Sequence, residues 1–500
     1  MNIKKIRVNS FDPDNTSDNL KSASIRGVAV TSAGQGVRFF IQFGTQIIMA
    51  RLLLPSEFGL IAMALPFLSL VQIFNDLGLS RATVQQSTIS HESLSYLFWL
   101  NVIVSFVLAM LFVASAPFIS AVYGEPKLEG IISAFATLLI ISGLSAQQAA
   151  LLERRMKFSQ LAVMDVLCLF IGSLVGIFSA ILGCGYWSIV YMQAANSIVI
   201  LIMVWYYSNW IPSFPKKTPG SLKLIIFGGK ITGYNLIYYV TNSLPSITIG
   251  INSGAIPLGL YDRSYKLIIT PLWQVQAPLA RVAISLLSRL VVIQAKYTKA
   301  FMLLLKATLL LTMPGLLCCA TYGTLFVIVV LGEAWVAAGV IVSWLAISFI
   351  FFSLRMSAGW LFVSQGRAEE QIYFGLLSAV FTAAALFIGM IWGLTGIIIC
   401  LAIFSNIDNV VTFLAATSRG PVSSKLCLKE CYPILISAIL GCAITWVANI
   451  GLQEVGAGNT LRLFLNLASC YFFTGVALIV IPSGRRMLVE FWGLWSSKTI

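Results

Sequence analysis

Apolar residues along this chain do not alternate with polar ones at the two-residue period of a half-buried strand. They come in long runs separated by short polar segments, near 27–50, 58–80, 95–118, 128–150, 160–182, 185–208, 224–250, 256–285, 300–330, 337–363, 371–392, 395–417, 432–450 and 461–482. A helix crossing ~30 Å of hydrocarbon needs ~20 apolar residues, and these runs have that length. The pattern predicts about fourteen transmembrane helices, an all-α integral membrane fold, and disfavours a β-barrel. Two of the helix pairs are joined by very short Gly-rich turns, Gly183-Cys184-Gly185 and Trp392-Gly393-Leu394-Thr395-Gly396, which let two spans reverse tightly.

Composition agrees with this reading. Of the 500 residues, 58% are hydrophobic and 10% charged, with a mean hydropathy of +0.91. A soluble domain carries about 25% charged residues because its surface faces water, so this chain requires an apolar solvent as well. The first 26 residues are polar and charged and read as a short flexible tail rather than a cleavable signal. Most of the nine cysteines lie inside apolar runs and show no metal-ligand spacing, so they read as small packing hydrophobes. His91 is the single histidine, which argues against a histidine-based catalytic or metal site, and no cofactor is expected.

The net charge of +14 could suggest a nucleic-acid partner. The positive-inside rule accounts for it first. With the N-terminus placed in the cytoplasm, 22 of the 32 basic residues fall in cytoplasmic segments, seven lie within spans, and the opposite loops hold only Arg51, Lys127 and Arg462. That bias predicts an even number of spans with both termini cytoplasmic. The stretch Phe491-Trp492-Gly493-Leu494-Trp495 reads as an interfacial anchor.

A faint internal echo appears at a shift of 200 residues. Phe58-Gly59-Leu60 falls on Leu258-Gly259-Leu260, and Arg81 falls on Arg281. Six helices per unit place both copies in the membrane with the same orientation, as in parallel transporter repeats. The expected organisation is a cytoplasmic tail (1–26), an N-lobe of six helices (27–208), a cytoplasmic linker (209–223) and a C-lobe of six helices (224–418). Two additional helices (432–482) and a cytoplasmic C-terminal tail (483–500) follow. A cleft between two pseudo-symmetric lobes is the natural place for substrate.

Charges inside the spans mark candidate chemistry, because each costs at least ~2.5–3.5 kcal/mol at the bilayer centre. Arg38 lies about 16 Å into its span, close to the midplane and too deep to snorkel easily. Asp262 and Lys266 stand four apart in the favourable acid-first order, which leaves Arg263 without an obvious partner and suggests a cationic patch of Arg263 and Lys266. Lys230 and Arg355 line a cavity or snorkel to the cytoplasmic surface, whereas Lys306 and Arg281, nearer the cytoplasmic ends, are expected to snorkel. Asp76, Asp165, Asp262 and Asp408 are the acidic residues in or at the ends of spans; Asp76, Asp262 and Asp408 are the candidates for ion coupling, with counter-ion or interface roles as the alternative. The excess of in-span positive charge suits an anionic, phosphate-bearing substrate.

Several segments carry a family resemblance. Ala50-Arg51-Leu52-Leu53-Leu54-Pro55-Ser56-Glu57-Phe58-Gly59-Leu60 with Phe74-Asn75-Asp76-Leu77-Gly78-Leu79 is one. Leu151-Leu152-Glu153-Arg154-Arg155-Met156-Lys157-Phe158 is another, and Leu258-Gly259-Leu260-Tyr261-Asp262-Arg263-Ser264-Tyr265-Lys266 with Pro278-Leu279-Ala280-Arg281-Val282 a third. In order and spacing, over about residues 27–420, these resemble the Wzx-type polysaccharide flippases of the multidrug/oligosaccharidyl-lipid/polysaccharide (MOP) exporter superfamily. The resemblance implies a MOP/MATE-like fold and a bacterial inner-membrane transporter, not an enzyme. It implies translocation, by alternating access, of undecaprenyl-diphosphate-linked oligosaccharide units for O-antigen, capsule or exopolysaccharide synthesis. It also implies a lipid-linked substrate, with a polysaccharide polymerase and a chain-length regulator as partners. Many relatives carry an acidic Asn-Ala-Asp-Asn-like stretch late in helix seven. Here Thr241-Asn242-Ser243-Leu244-Pro245-Ser246-Ile247 has no acid, and Pro245 is a candidate break in that helix. The coupling ion stays open. The alternatives are a drug exporter of the same superfamily, which would need an acidic cavity, and a membrane polymerase or ligase, which would need a large outside loop.

Overall fold

The computed structural model describes residues 17–76, 79–85, 89–214, 236 and 239–487. In chain order the first helices are α1 (Ser17–Leu52), α2 (Pro55–Asp76), α3 (Leu79–Gln85), α4 (His91–Tyr123), α5 (Lys127–Arg154), α6 (Phe158–Ile181) and α7 (Trp187–Ser208). Residues 239–253 are helical and form α8. Then come α9 (Ala255–Leu290), α10 (Gln294–Thr321), α11 (Gly323–Val330), α12 (Ala338–Ser348) and α13 (Phe352–Ser364). The series ends with α14 (Ala368–Gly389), α15 (Gly393–Ser418), α16 (Ser424–Glu454) and α17 (Asn459–Val480). No strand occurs among the described residues.

Every apolar run of the sequence is met by helix over its described residues. Among the described residues eleven stretches are long and apolar enough to cross a membrane. One of them, Glu369–Ser418, holds both α14 and α15, which turn back at Gly393, where φ is 67°. The ninth run is shared by α10 and α11, and the tenth by α12 and α13. Outward-facing side chains stay apolar: Phe40, Phe118 and Phe387 are each more than 70% exposed. A water-facing fold does not tolerate such surface, and lipid covers it without cost.

The boundaries differ from expectation in three places. Helix α1 is described from Ser17, inside the stretch expected to be a flexible tail. Helix α8 runs on through Pro245, so the proline removes one ladder bond without ending the helix. Helices α9 and α16 are several residues longer than their apolar runs, since helical geometry outlasts the hydrocarbon. The aromatic stretch 491–495 lies outside the described residues.

The chain divides into two compact units, Met1–Gly259 and Leu260–Ile500. In the first, α5 is central, with Leu128, Ile131, Ile132 and Phe135 fully buried. In the second, α10 is central, and Tyr297, Phe301 and Leu305 pack with Trp360, Leu361 and Phe362 of α13.

Turns, more than spans, carry the internal repeat. After α5, the amides of Arg155, Met156 and Lys157 donate to the carbonyls of Leu151, Glu153 and Leu152; after α13, those of Gln365, Gly366 and Arg367 donate to Leu361, Val363 and Phe362. The two turns are the same backbone at a shift of 210, with φ of 55° at Met156 and 72° at Gly366. Gly183 and Gly393 match at the same shift, with φ of 80° and 67°. Gly124-Glu125 and Gly332-Glu333 match at a shift of 208. At the shift of 200 the correspondence is physical contact within the first unit. A Cβ on Gly59 would overlap the Ala255 carbonyl, and a Cβ on Gly259 would overlap the Pro55 carbonyl. Pro55 and Ala255 are themselves counterparts at this shift, so the start of α2 and the start of α9 cross closely at the paired glycines Gly59 and Gly259.

Candidate functional site

Helix α1 meets α6 where Gly34 faces Ala162. One turn further along each helix, Arg38 Nη1 lies 2.6 Å from Asp165 Oδ2. Arg38 is thus paired, yet its side chain remains 46% exposed and that of Asp165 37%. The acid neutralises the arginine without covering it, so the guanidinium keeps donors for a further acceptor.

In the second unit, the first turns of α9 hold a three-residue cluster. Lys266 Nζ lies 2.9 Å from Asp262 Oδ1, the ion pair that the spacing predicts. Arg263, expected to lack a partner, donates from Nε at 3.0 Å and from Nη2 at 2.6 Å to Asp262 Oδ2. Sequence spacing missed this contact because adjacent residues point about 100° apart on a helix, and only the length of the arginine side chain closes the gap. One carboxylate therefore serves two cations. The stacked rings of Tyr261 and Tyr265 flank it. Both oxygens of Asp262 are thus held by cations.

Arg355 and Asp408 form a different kind of pair. Arg355 Nη1 donates to Asp408 Oδ2 at 2.6 Å, and Ser378 donates to Oδ1 at 3.1 Å. Thr412 donates to Oδ1 at 3.4 Å and accepts from Arg355 at 3.3 Å. The carboxylate is buried and its hydrogen bonds tie together α13, α14 and α15. Arg355, expected to line a cavity or to snorkel, and Asp408, a candidate for ion coupling or for a counter-ion, are thus paired with each other.

Lys306 differs from its expectation. Its side chain is 4% exposed and lies 2.6 Å from Glu430 Oε2, joining α10 to α16 rather than reaching the surface. Of the other sequence candidates, Asp76 is the last residue of α2, where only the backbone is described, and Lys230 lies outside the described residues.

Two loop arginines missed as structural residues hold helix ends. Arg155 donates to the Ser208 carbonyl at the end of α7 at 2.6 Å. Arg367 donates to the Ala416 and Arg419 carbonyls at the end of α15 at 2.9 and 2.7 Å. The last carbonyls of a helix have no intrahelical partner and carry partial negative charge, so a cation there satisfies both needs. Among the described residues no cluster of His, Cys, Asp or Glu has the form of a metal site.

Residues 48–340 match the family described as "Polysaccharide biosynthesis protein". The chain is 25% identical over 423 residues to the teichuronic acid biosynthesis protein TuaB of Bacillus subtilis (strain 168), a match covering 80% of this chain and 84% of that protein. It is 24% identical over 356 residues to the succinoglycan biosynthesis transport protein ExoT of Rhizobium meliloti (strain 1021), covering 71% and 72%. Among solved structures, the lipid II flippase MurJ in its inward closed conformation aligns with a TM-score of 0.67 at 12% identity, over 90% of this chain and 98% of that one. An inward-facing multidrug resistance MATE family transporter of the MOP superfamily aligns with a TM-score of 0.59 at 16% identity, over 76% and 94%. At these identities the structural likeness is one of fold.

Proposed function

This chain belongs to the polysaccharide biosynthesis protein family, and from that premise we propose that it is a Wzx-type flippase. Its cargo is an oligosaccharide unit linked through a diphosphate to undecaprenol, moved across the bacterial inner membrane for surface polysaccharide assembly. No bond is made or broken. The N-lobe (27–208) and C-lobe (224–418) alternate access to the two sides, with helices 432–482 as an addition and both termini cytoplasmic. A polysaccharide polymerase and a chain-length regulator are the partners that would take the flipped unit onward.

One observation carries this reading: Arg263 and Lys266 share the single carboxylate of Asp262 inside a membrane-spanning helix. Two cations gather on one carboxylate, and a phosphate offers oxygens that accept charge-assisted hydrogen bonds from such a cluster. Arg38, paired but half-exposed, is the second anion-binding group. A cationic drug would be repelled by the same cluster. The diphosphate bridges lipid and sugar, so a protein that holds it can leave the prenyl tail in lipid while the sugars travel through a polar interior.

The double substitution Arg38→Ala/Arg263→Ala tests the reading. Each lost charged hydrogen-bonding group removes about 1.5–3 kcal/mol, so export is expected to fall at least tenfold. Surface polysaccharide would be quantified at matched membrane levels of the protein; unchanged polysaccharide would overturn the proposal.

A further inference from the structure

Helix α9 continues for 24 residues beyond Lys266, the last member of the Asp262 cluster, and one of its faces is rich in polar residues. Arg263, Lys266, Thr270, Gln274, Arg281 and Ser285 fall within an arc of about 100° at 3.6 residues per turn, which they share with Leu267, Ala277, Ile284 and Ser288. Gln274, Arg281 and Ser285 are exposed, and Arg263, Lys266 and Thr270 half-buried. The opposite arc is packed: Tyr261, Ser264, Ile268, Leu272, Ala283 and Leu287 are all buried. From Arg263 to Ser285 the polar arc is about 33 Å long, which is the thickness of the hydrocarbon core.

Two glutamines show that the polarity of this arc needs its own explanation. Gln276 is fully buried on the packed side and donates to Ser353 Oγ at 3.0 Å. Gln274, two residues earlier and therefore about 160° away, is exposed near the middle of the helix, too far from either end to reach a membrane surface. Pro278 adds to this. It has no N–H, so the Gln274 carbonyl four residues before it loses its ladder bond. Residue 274 thus presents an amide side chain and a carbonyl deprived of its i+4 donor at one depth. Neither group is stable against lipid, so this face borders water.

We infer that the polar arc of α9 is the track along which the phosphate-bearing headgroup crosses the membrane, from a station at Arg281 to a station at Arg263 and Lys266. The inference rests on the flippase reading and names the path within it. The two cationic stations are about 27 Å apart along the helix axis. Between them Thr270 and Gln274 offer neutral donors and acceptors, which pass a diphosphate or sugar hydroxyl along without trapping it. A continuous row of cations would hold the headgroup too tightly to release it.

Two measurements test the track. In the first, Thr270→Cys, Gln274→Cys and Arg281→Cys variants are treated with a membrane-impermeant thiol reagent, against the background of the native thiols. All three are expected to label and Leu272→Cys is not; absence of labelling at 274 would overturn the inference whatever the protein transports. In the second, the purified full chain in proteoliposomes flips a fluorescent polyprenyl-diphosphate disaccharide. Gln274→Leu is expected to slow flipping at least tenfold while the probe still binds, and Gln274→Asn to recover most of the rate. If the unsubstituted chain flips the probe and Gln274→Leu matches it, the track is wrong and the flippase reading stands. If the unsubstituted chain moves no probe, the flippase reading fails and takes the track with it.

Discussion

At the scale of single residues, the in-span charges sort by how much of each stays accessible. Asp408 and Arg355 are held by three helices, and removing one partner would leave a buried charge uncompensated. Asp408→Ala is therefore expected to destabilise the protein by about 3–5 kcal/mol, read as a large drop in thermal midpoint in detergent, and Arg355→Met/Asp408→Leu is expected to recover most of it. Equal midpoints for the single and double variants would contradict this. The Asp262–Lys266 pair was legible in the sequence because its geometry is set within one helical turn. The partners of Arg38, Arg355 and Lys306 were not, since they lie 127, 53 and 124 residues away and are chosen by how helices pack. Hydropathy finds a helix without saying which of its faces meets which neighbour.

At the scale of elements, the apolar runs located the helices well, and Gly-rich turns located the reversals. The repeat was legible only at its start. The shift grows from 200 at Gly59 and Gly259 to 208 and then 210 at later turns, so a fixed-offset comparison loses register after the first crossing. The turns keep the repeat because a positive φ and a fixed pattern of amide donors constrain backbone, while lipid-facing spans need only remain apolar. The paired glycines of α2 and α9 are the strictest constraint. Gly59→Ala and Gly259→Ala each place a methyl group on a carbonyl oxygen and are expected to cost at least about 1–3 kcal/mol. Gly44→Ala in α1, where a Cβ meets nothing within 4 Å, is expected to be neutral or slightly stabilising. Thermal midpoints of the three purified variants would separate these cases; similar values for all would show that the crossing yields easily.

For the whole molecule, the strongest sequence signal was the partition of charge, which no single contact reveals. Reporter fusions at both termini are expected to behave as cytoplasmic, and a fusion in the Gly124-Glu125 turn as periplasmic; a periplasmic C-terminus would mean an odd number of spans. The pairing of Arg38 with Asp165 has a consequence for how such a chain is made. Helix α1 leaves the ribosome before α6, carrying an arginine near the bilayer midplane. Its acid arrives 127 residues later, about 6–25 s at ordinary synthesis rates. During that interval the lone arginine weakens the hold of lipid on the first helix, so α1 must wait at the insertion machinery, or tilt toward the cytoplasmic surface, until α6 emerges. A chain interrupted between the two would release a first span poorly able to stay in the membrane, which gives the cell a means of discarding incomplete copies.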